Sequence, residues 1–407
     1  MGKKPSGFAE IVRESVLSPE ESPLKLKKGA KSLSIGVPKA TRFQESRVSL
    51  KPDSVSVLVN NGLEVMVESN AGKLANFSDR EYSEAGAKIV YDRKEVMQAE
   101  LILKVAPPSL EEIEMMNTGA VLISAFQTGE QSIDYLHALG KKRITAIGYE
   151  FIQDKVGGLP LVRAMSEIAG STVMLIAAEY LSSTGAGRGV ILGGITGVPP
   201  TNVVILGAGT VAEYAARAAL GLGADVKVYD NHIFKLRRLK HAIGQQVHTG
   251  TIENPTLERA LEQADVVIGA IRGEDGQNVS VVSEEMVANM KHGSVIIDVS
   301  IDQGGCVETS RVTTHDKPIF KQYEVIHYCV PNIASRVAQT ATVAISNIVS
   351  PMVVQIAEEG GIDEMIFSNR WFMKGVYTYK GTLTNFHLAK KYNLGYKDLS
   401  LLMAARF

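Results

Sequence analysis

The turn Gly207-Ala-Gly209-Thr210-Val211-Ala212, set between an apolar run and an alanine-rich segment, restricts this chain more than any other part of its sequence. Val203 to Leu206 is short and wholly apolar, the pattern of a parallel strand covered on both faces. Gly207 makes the tight turn, Gly209 lets backbone approach a pyrophosphate, and the small Ala212 lets helix and strand pack closely. Val211 to Leu222 reads as the helix, its first amides aimed at bound phosphate. Gly223 to Tyr229 is the next strand. Asp230 stands at its end, about twenty residues past the first glycine, where an acid binds the adenosine ribose hydroxyls. All five features are in register, so we expect a dinucleotide site formed by Gly207, Gly209, Thr210, Val211 and Asp230. The acid at 230 favours NAD over NADP, because it would repel a 2′-phosphate.

At 407 residues the chain is long enough for two domains with full cores. Beyond Asp230 strands are expected near Val247, at Asp265 to Ile271, at Val295 to Val299 and at Glu324 to His327, completing six around the glycine turn. Strands and helices also alternate from Ile35 to Tyr149, without a glycine-rich phosphate loop. That rhythm predicts a second α/β unit with helices on both faces of a parallel sheet. The expected fold class is therefore α/β, two doubly wound domains, the second a Rossmann dinucleotide-binding domain. Residues 1–33 read as an extension bearing a short amphipathic helix around Phe8, Ile11, Val12 and Val16. Residues 34–163 with 338–407 are expected to form the first domain, the one the resemblance described below makes the substrate domain, and residues 164–337 the NAD(H)-binding domain, whose long first helix opens near Ala164.

The formal net charge of −1 provides no general attraction to nucleic acid or to an anionic membrane. Cys306 and Cys329 are the only cysteines, too few for a disulfide framework or a thiolate zinc site, so a reducing, cytoplasmic setting is expected. No His or acidic cluster has metal-ligand spacing. The apolar stretch Ala341 to Ala357 is interrupted by Thr342, Ser346, Asn347, Ser350 and Pro351, which suits a buried helix rather than a membrane span.

Several stretches together resemble the alanine dehydrogenase and transhydrogenase alpha-subunit family. They are Ile35-Gly-Val-Pro-Lys with Glu45-Ser-Arg47-Val, Leu103-Lys104-Val, Met165-Ser166-Glu-Ile-Ala-Gly170, the dinucleotide core, Asp298-Val-Ser-Ile-Asp302-Gln-Gly-Gly305 and Thr313-Thr-His-Asp316. The resemblance runs from about Ser34 to the C-terminus. It implies two α/β domains around a cleft and a homo-oligomer, with a hexamer ahead of a dimer. It also implies a substrate-carboxylate arginine at Arg47, a keto-acid-contacting lysine at Lys104 and a catalytic aspartate at Asp302. Asn332 would lie near nicotinamide and substrate, and Ser166 would touch the cofactor. An arginine suits a carboxylate because a guanidinium gives it two parallel hydrogen bonds.

Two positions depart from the dehydrogenase pattern. Gln127 aligns with the family's histidine after the strand Ala120 to Phe126, while His137 falls inside an expected helix. Asn332-Ile-Ala-Ser-Arg336 looks more like the transhydrogenase form of its loop. The leading expectation is NAD-dependent oxidative deamination of L-alanine to pyruvate and ammonia, weakened by Gln127 among the catalytic residues Asp302, Gln127 and Lys104. The alternatives are an NAD(H)-binding, hydride-carrying component and a reductase for another 2-oxo acid or imine.

Overall fold

The computed structural model describes residues 33–41, 44–127, 131–271, 273 and 280–404. The helix expected around Phe8 lies outside the described residues. Six strands come first: β1 (Ser34–Val37), β2 (Glu64–Glu68), β3 (Lys88–Val90), β4 (Leu101–Leu103), β5 (Val121–Ser124) and β6 (Thr145–Gly148). Next are β7 (Asn202–Leu206), β8 (Asp225–Tyr229), β9 (His248–Gly250), β10 (Val266–Gly269), β11 (Val295–Asp298), β12 (Ile319–Gln322) and β13 (Val325–Tyr328). β14 (Val376–Tyr379) and β15 (Thr382–Leu383) close the series.

The strands form two sheets. The first has the order β15-β14-β6-β5-β4-β1-β2-β3, the second β12-β13-β11-β10-β7-β8-β9. In each, the chain starts in the middle, builds one way and then crosses to the other side. The order reverses between β1 and β4 in the first sheet and between β7 and β10 in the second. Doubly wound sheets bind ligands at such reversals, outside the carboxyl ends of the strands. The central strands are buried: Val203 to Leu206, for example, are all fully buried, as a strand covered on both faces requires. β14 returns late in the chain and pairs antiparallel with β6, so residues after 370 extend the first sheet.

Two long helices carry the chain between the sheets. The helix Pro160–Leu181 packs on the helix Thr210–Gly221, and Gly170 permits it, since a Cβ there would meet the Val211 carbonyl at 2.4 Å. The helix Ala338–Glu358 buries Ala341, Ile345, Val349 and Val353 despite carrying Pro351. Both pass for membrane spans by length and composition, yet each contributes its apolar face to a core cluster of this fold. The first of them starts at Pro160 rather than near Ala164, because proline suits the first helical position, where its missing N–H costs no hydrogen bond.

The second sheet has seven strands rather than six. The additional one, β12, pairs antiparallel with β13 through the turn Tyr323-Glu324. Both turn residues have positive φ, 54° and 57°. Tight hairpins of this kind ordinarily use Asn and Gly, so nothing in the sequence marked the hairpin.

Candidate active site

The glycine turn joins β7 to the helix Thr210–Gly221 at the reversal of the second sheet. Gly207 has φ 99°, and a Cβ on it would strike the Ala270 carbonyl at 2.4 Å. Above Gly209 there is open space: a Cβ there meets no atom within 4 Å. The helix has Gly209 as its N-cap and no side-chain cap, so its first-turn amides have no intrahelical partners. Asp230 follows β8 directly. It accepts the Ala208 N–H at 2.8 Å and the His232 N–H at 2.7 Å, and its Oδ1 lies 2.9 Å from His232 Nδ1. Burial acts to raise the Asp230 carboxyl, and these bonds override it and hold the group below the usual carboxylate range. Amides at a helix start, a glycine with room above it and an ionised acid on the neighbouring strand together fit a dinucleotide.

Arg47 lies on the loop that follows β1, at the reversal of the first sheet. Its Nε donates to Glu45 Oε1 at 2.8 Å and its Nη2 to Glu45 Oε2 at 2.6 Å, a side-on bidentate pair. Both residues are buried. Burial acts to raise the Glu45 carboxyl, but the Arg47 charge and hydrogen bonds hold it below the ordinary value. The other half of the molecule closes on this pair. Asn332 Nδ2 donates to Glu45 Oε2 at 3.2 Å, the Ser46 N–H donates to Ser335 Oγ at 2.8 Å, and Arg47 Nη1 lies 3.4 Å from Met165 Sδ. Asp302 is near enough for its charge to act on Arg47. It sits on a short 3-10 turn after β11, and its side chain is exposed. Asn332 holds a left-handed backbone, φ 59°, a conformation asparagine tolerates better than most residues.

Lys104 follows β4, next to β1 across the same reversal. It is 2% exposed and is bonded to Glu112 and, at 3.4 Å, to Thr41 Oγ1. Gln127 follows β5, one strand further. Its N–H and that of Phe126 both donate to Glu150, at 2.7 and 2.9 Å, and its Oε1 is buried without a hydrogen-bond partner. His137 is exposed on the helix Ile133–Lys141. Ser166 is half-buried in the second turn of the helix Pro160–Leu181, beside Met165.

Arg47 and Asn332 thus gather around Glu45, with the Asp302 charge acting on Arg47 and with Met165 and Ser166 on the adjoining helix. Lys104 joins them through Thr41 on the Arg47 loop, and Gln127 stands on the neighbouring strand end. Sequence reasoning gave no role to Glu45, Glu112, Glu150 or His315. Glu45 lay inside the quoted Glu45-Ser-Arg47 motif, which is a usable signal; Glu112 and Glu150 come together with their partners only in the fold. His315 has a buried Nε2 without a hydrogen-bond partner, and burial and then the Arg336 charge lower its pKa below the ordinary histidine value.

Two doubly wound halves, one with a dinucleotide turn and the other with an arginine at its reversal point, define a two-domain, dinucleotide-dependent class of enzyme. Family models place the chain within that class. The alanine dehydrogenase/PNT N-terminal domain matches residues 36–169 and the alanine dehydrogenase/PNT C-terminal domain residues 173–386. The chain belongs to the alanine dehydrogenase/PNT family. Alanine dehydrogenase 2 of Staphylococcus aureus strain USA300 is 38% identical over 369 residues, covering 90% of this chain and 98% of that protein. A solved L-alanine dehydrogenase superposes with a TM-score of 0.83 at 36% identity, over 89% of this chain and 99% of the other. A transhydrogenase from Sinorhizobium meliloti shares the fold, with a TM-score of 0.74 at 22% identity over 87% of this chain and 99% of that one.

Proposed function

We propose that this protein catalyses the reversible, NAD-dependent oxidative deamination of L-alanine to pyruvate and ammonia, at a rate limited by Gln127. The observation that carries the reading is the buried Arg47, clamped side-on by Glu45 and within the field of Asp302. Glu45 takes Nε and one Nη2 hydrogen, which leaves the end-on edge of the guanidinium for a second carboxylate. Met165 Sδ, a weak acceptor, lies against Nη1 on that edge and yields readily to a charged oxygen. Arg47 thereby fixes the substrate carboxylate.

A bound nicotinamide would supply the hydride acceptor for the amino acid, or the donor in the reverse direction. Gly207, Gly209, Thr210 and Val211 would hold the pyrophosphate, Asp230 would bind the ribose and favour NAD over NADP, and Ser166 and Asn332 would contact the nicotinamide end. Lys104 donates a hydrogen bond to the substrate oxygen. Asp302, with a water, takes the proton that water loses when it attacks the imine. Gln127 can donate a hydrogen bond to a carbonyl but cannot serve as an acid or base, so it supports binding better than proton transfer.

The test is NADH oxidation with ammonia and a panel of 2-oxo acids. Consumption dependent on ammonia and fastest with pyruvate supports the reading. Preference for another oxo acid reassigns the substrate, and consumption of none in the presence of tight NADH binding points to a hydride carrier.

A further inference from the structure

We propose that Glu112 is the positioning residue for Lys104, and that it locks the lysine and the Arg47 loop into one substrate-binding unit. The inference rests on the proposed role of Lys104 toward a 2-oxo acid. Glu112 belongs to the helix Leu110–Met115 and is 3% exposed, as deeply buried as the lysine it meets. Its two oxygens accept four hydrogen bonds. Oε2 takes Lys104 Nζ and the Ser109 N–H, the latter at 2.8 Å. Oε1 takes Thr41 Oγ1 and Arg93 Nη1, both at 3.2 Å.

The network continues toward the Arg47 loop by a second route. Arg93 also pairs with Glu68 at 2.8 Å, and Glu68 accepts the Lys39 N–H at 2.8 Å. Lys39 and Thr41 lie on the same loop, ahead of Glu45 and Arg47. The loop is therefore held at both points by carboxylates whose other partners are Arg93 and Lys104. The buried Lys104 and the partly exposed Arg93 face the buried Glu112 and Glu68, and the set is balanced. A buried charge that loses its partner is left uncompensated.

The groups acting on Lys104 are Glu112 from its helix, Arg93 from the helix Arg93–Met97 and Glu68 from β2. Burial lowers the lysine pKa, and the Glu112 charge opposes that shift. Removing the Glu112 charge leaves Arg93 beside Lys104 with only Glu68 to offset it, so the lysine sheds its proton at lower pH. A deprotonated lysine no longer offers a cation to an oxo acid.

The experiment measures pyruvate affinity for the NADH-bound protein by nucleotide fluorescence, without ammonia, from about pH 6 to about pH 10. In Glu112→Gln the alkaline loss of pyruvate binding is expected at least about one pH unit lower than in the native protein, while NADH affinity stays within about twofold. Glu112→Asp keeps the charge but withdraws it by one methylene, and is expected to weaken pyruvate about fivefold or more, with the alkaline limb in place. An unmoved limb in folded Glu112→Gln overturns the proposal. If that variant does not fold, unchanged pyruvate affinity in Glu112→Asp overturns it. A native protein that binds no pyruvate at any pH overturns the underlying reading of the site, and the proposal with it. Native binding with unaltered variants removes the proposal alone.

Discussion

Gln127 is held in place by its backbone rather than by its side chain. Its φ is 56°, its N–H is fixed on Glu150, and its Oε1 has no hydrogen-bond partner. An imidazole at this position would exchange a proton near neutral pH, which an amide cannot. Gln127→His is expected to raise alanine turnover by about 10²-fold, within the usual span of general acid–base catalysis. Steady-state rates of the two proteins check it, and an equal or lower rate in the histidine variant shows that the glutamine is no impairment. Arg47 differs, because its guanidinium as well as its N–H is fixed on Glu45. Arg47→Lys keeps the charge and loses the fork, so kcat/KM for alanine should fall by about 10²-fold or more, with NADH affinity kept. Arg47 was legible from its motif. Its clamp by Glu45 was not, since two residues spaced i and i+2 on an irregular loop carry no pattern that fixes their side chains.

At the scale of elements, the dinucleotide turn separates a folding glycine from a binding one. Gly207 has positive φ and a carbonyl 2.4 Å from its would-be Cβ, while Gly209 has neither constraint. Gly207→Ala should therefore lower the melting temperature. Gly209→Ala should leave it unchanged and weaken NADH at least about tenfold, because the Cβ enters only the open space above the turn, the space proposed for the cofactor. Thermal melts beside NADH titrations decide this, and a Gly209→Ala protein with native NADH affinity would count against the turn as the cofactor site. β13 supplies a pH-dependent element. Its fully buried His327 lies 2.8 Å from Thr309 and stacks on Phe320, and burial drives its pKa down to about 4. The native state therefore excludes a proton that the unfolded chain takes up below its ordinary histidine value. This contribution is complete above about pH 6.5 and lost as pH falls toward about 4, with an upper size of about 3 kcal/mol. Urea midpoints at several pH values should fall less steeply in His327→Gln than in the native protein; identical slopes would contradict the assignment. The β7-to-β8 unit was readable in full because strand, turn and helix each have their own composition. The β12–β13 hairpin was not, because Tyr323 and Glu324 adopt a turn conformation that their residue types do not advertise.

Across the whole molecule, the alternation of strands and helices was enough to give two doubly wound halves. It could not give the way they meet, which depends on single bonds between distant residues such as Asn332 to Glu45 and Ser46 to Ser335. Nor could it give the network around Lys104, whose other members come from β2 and two short helices. We propose that the chain assembles as a homo-oligomer, a hexamer ahead of a dimer. Leu175, Ile191 and Ile195, each more than 60% exposed in the single chain, are apolar surface that association would cover. Light scattering that returns a monomer would end that proposal. Whether the Arg47–Asp302 site oxidises an amino acid with NAD is read from the initial rate of NADH formation from NAD and L-alanine by the native protein. A slow but saturable rate is expected, dependent on alanine and abolished in Arg47→Met. A rate of zero with every amino acid tried, from a protein that binds NADH, would contradict it.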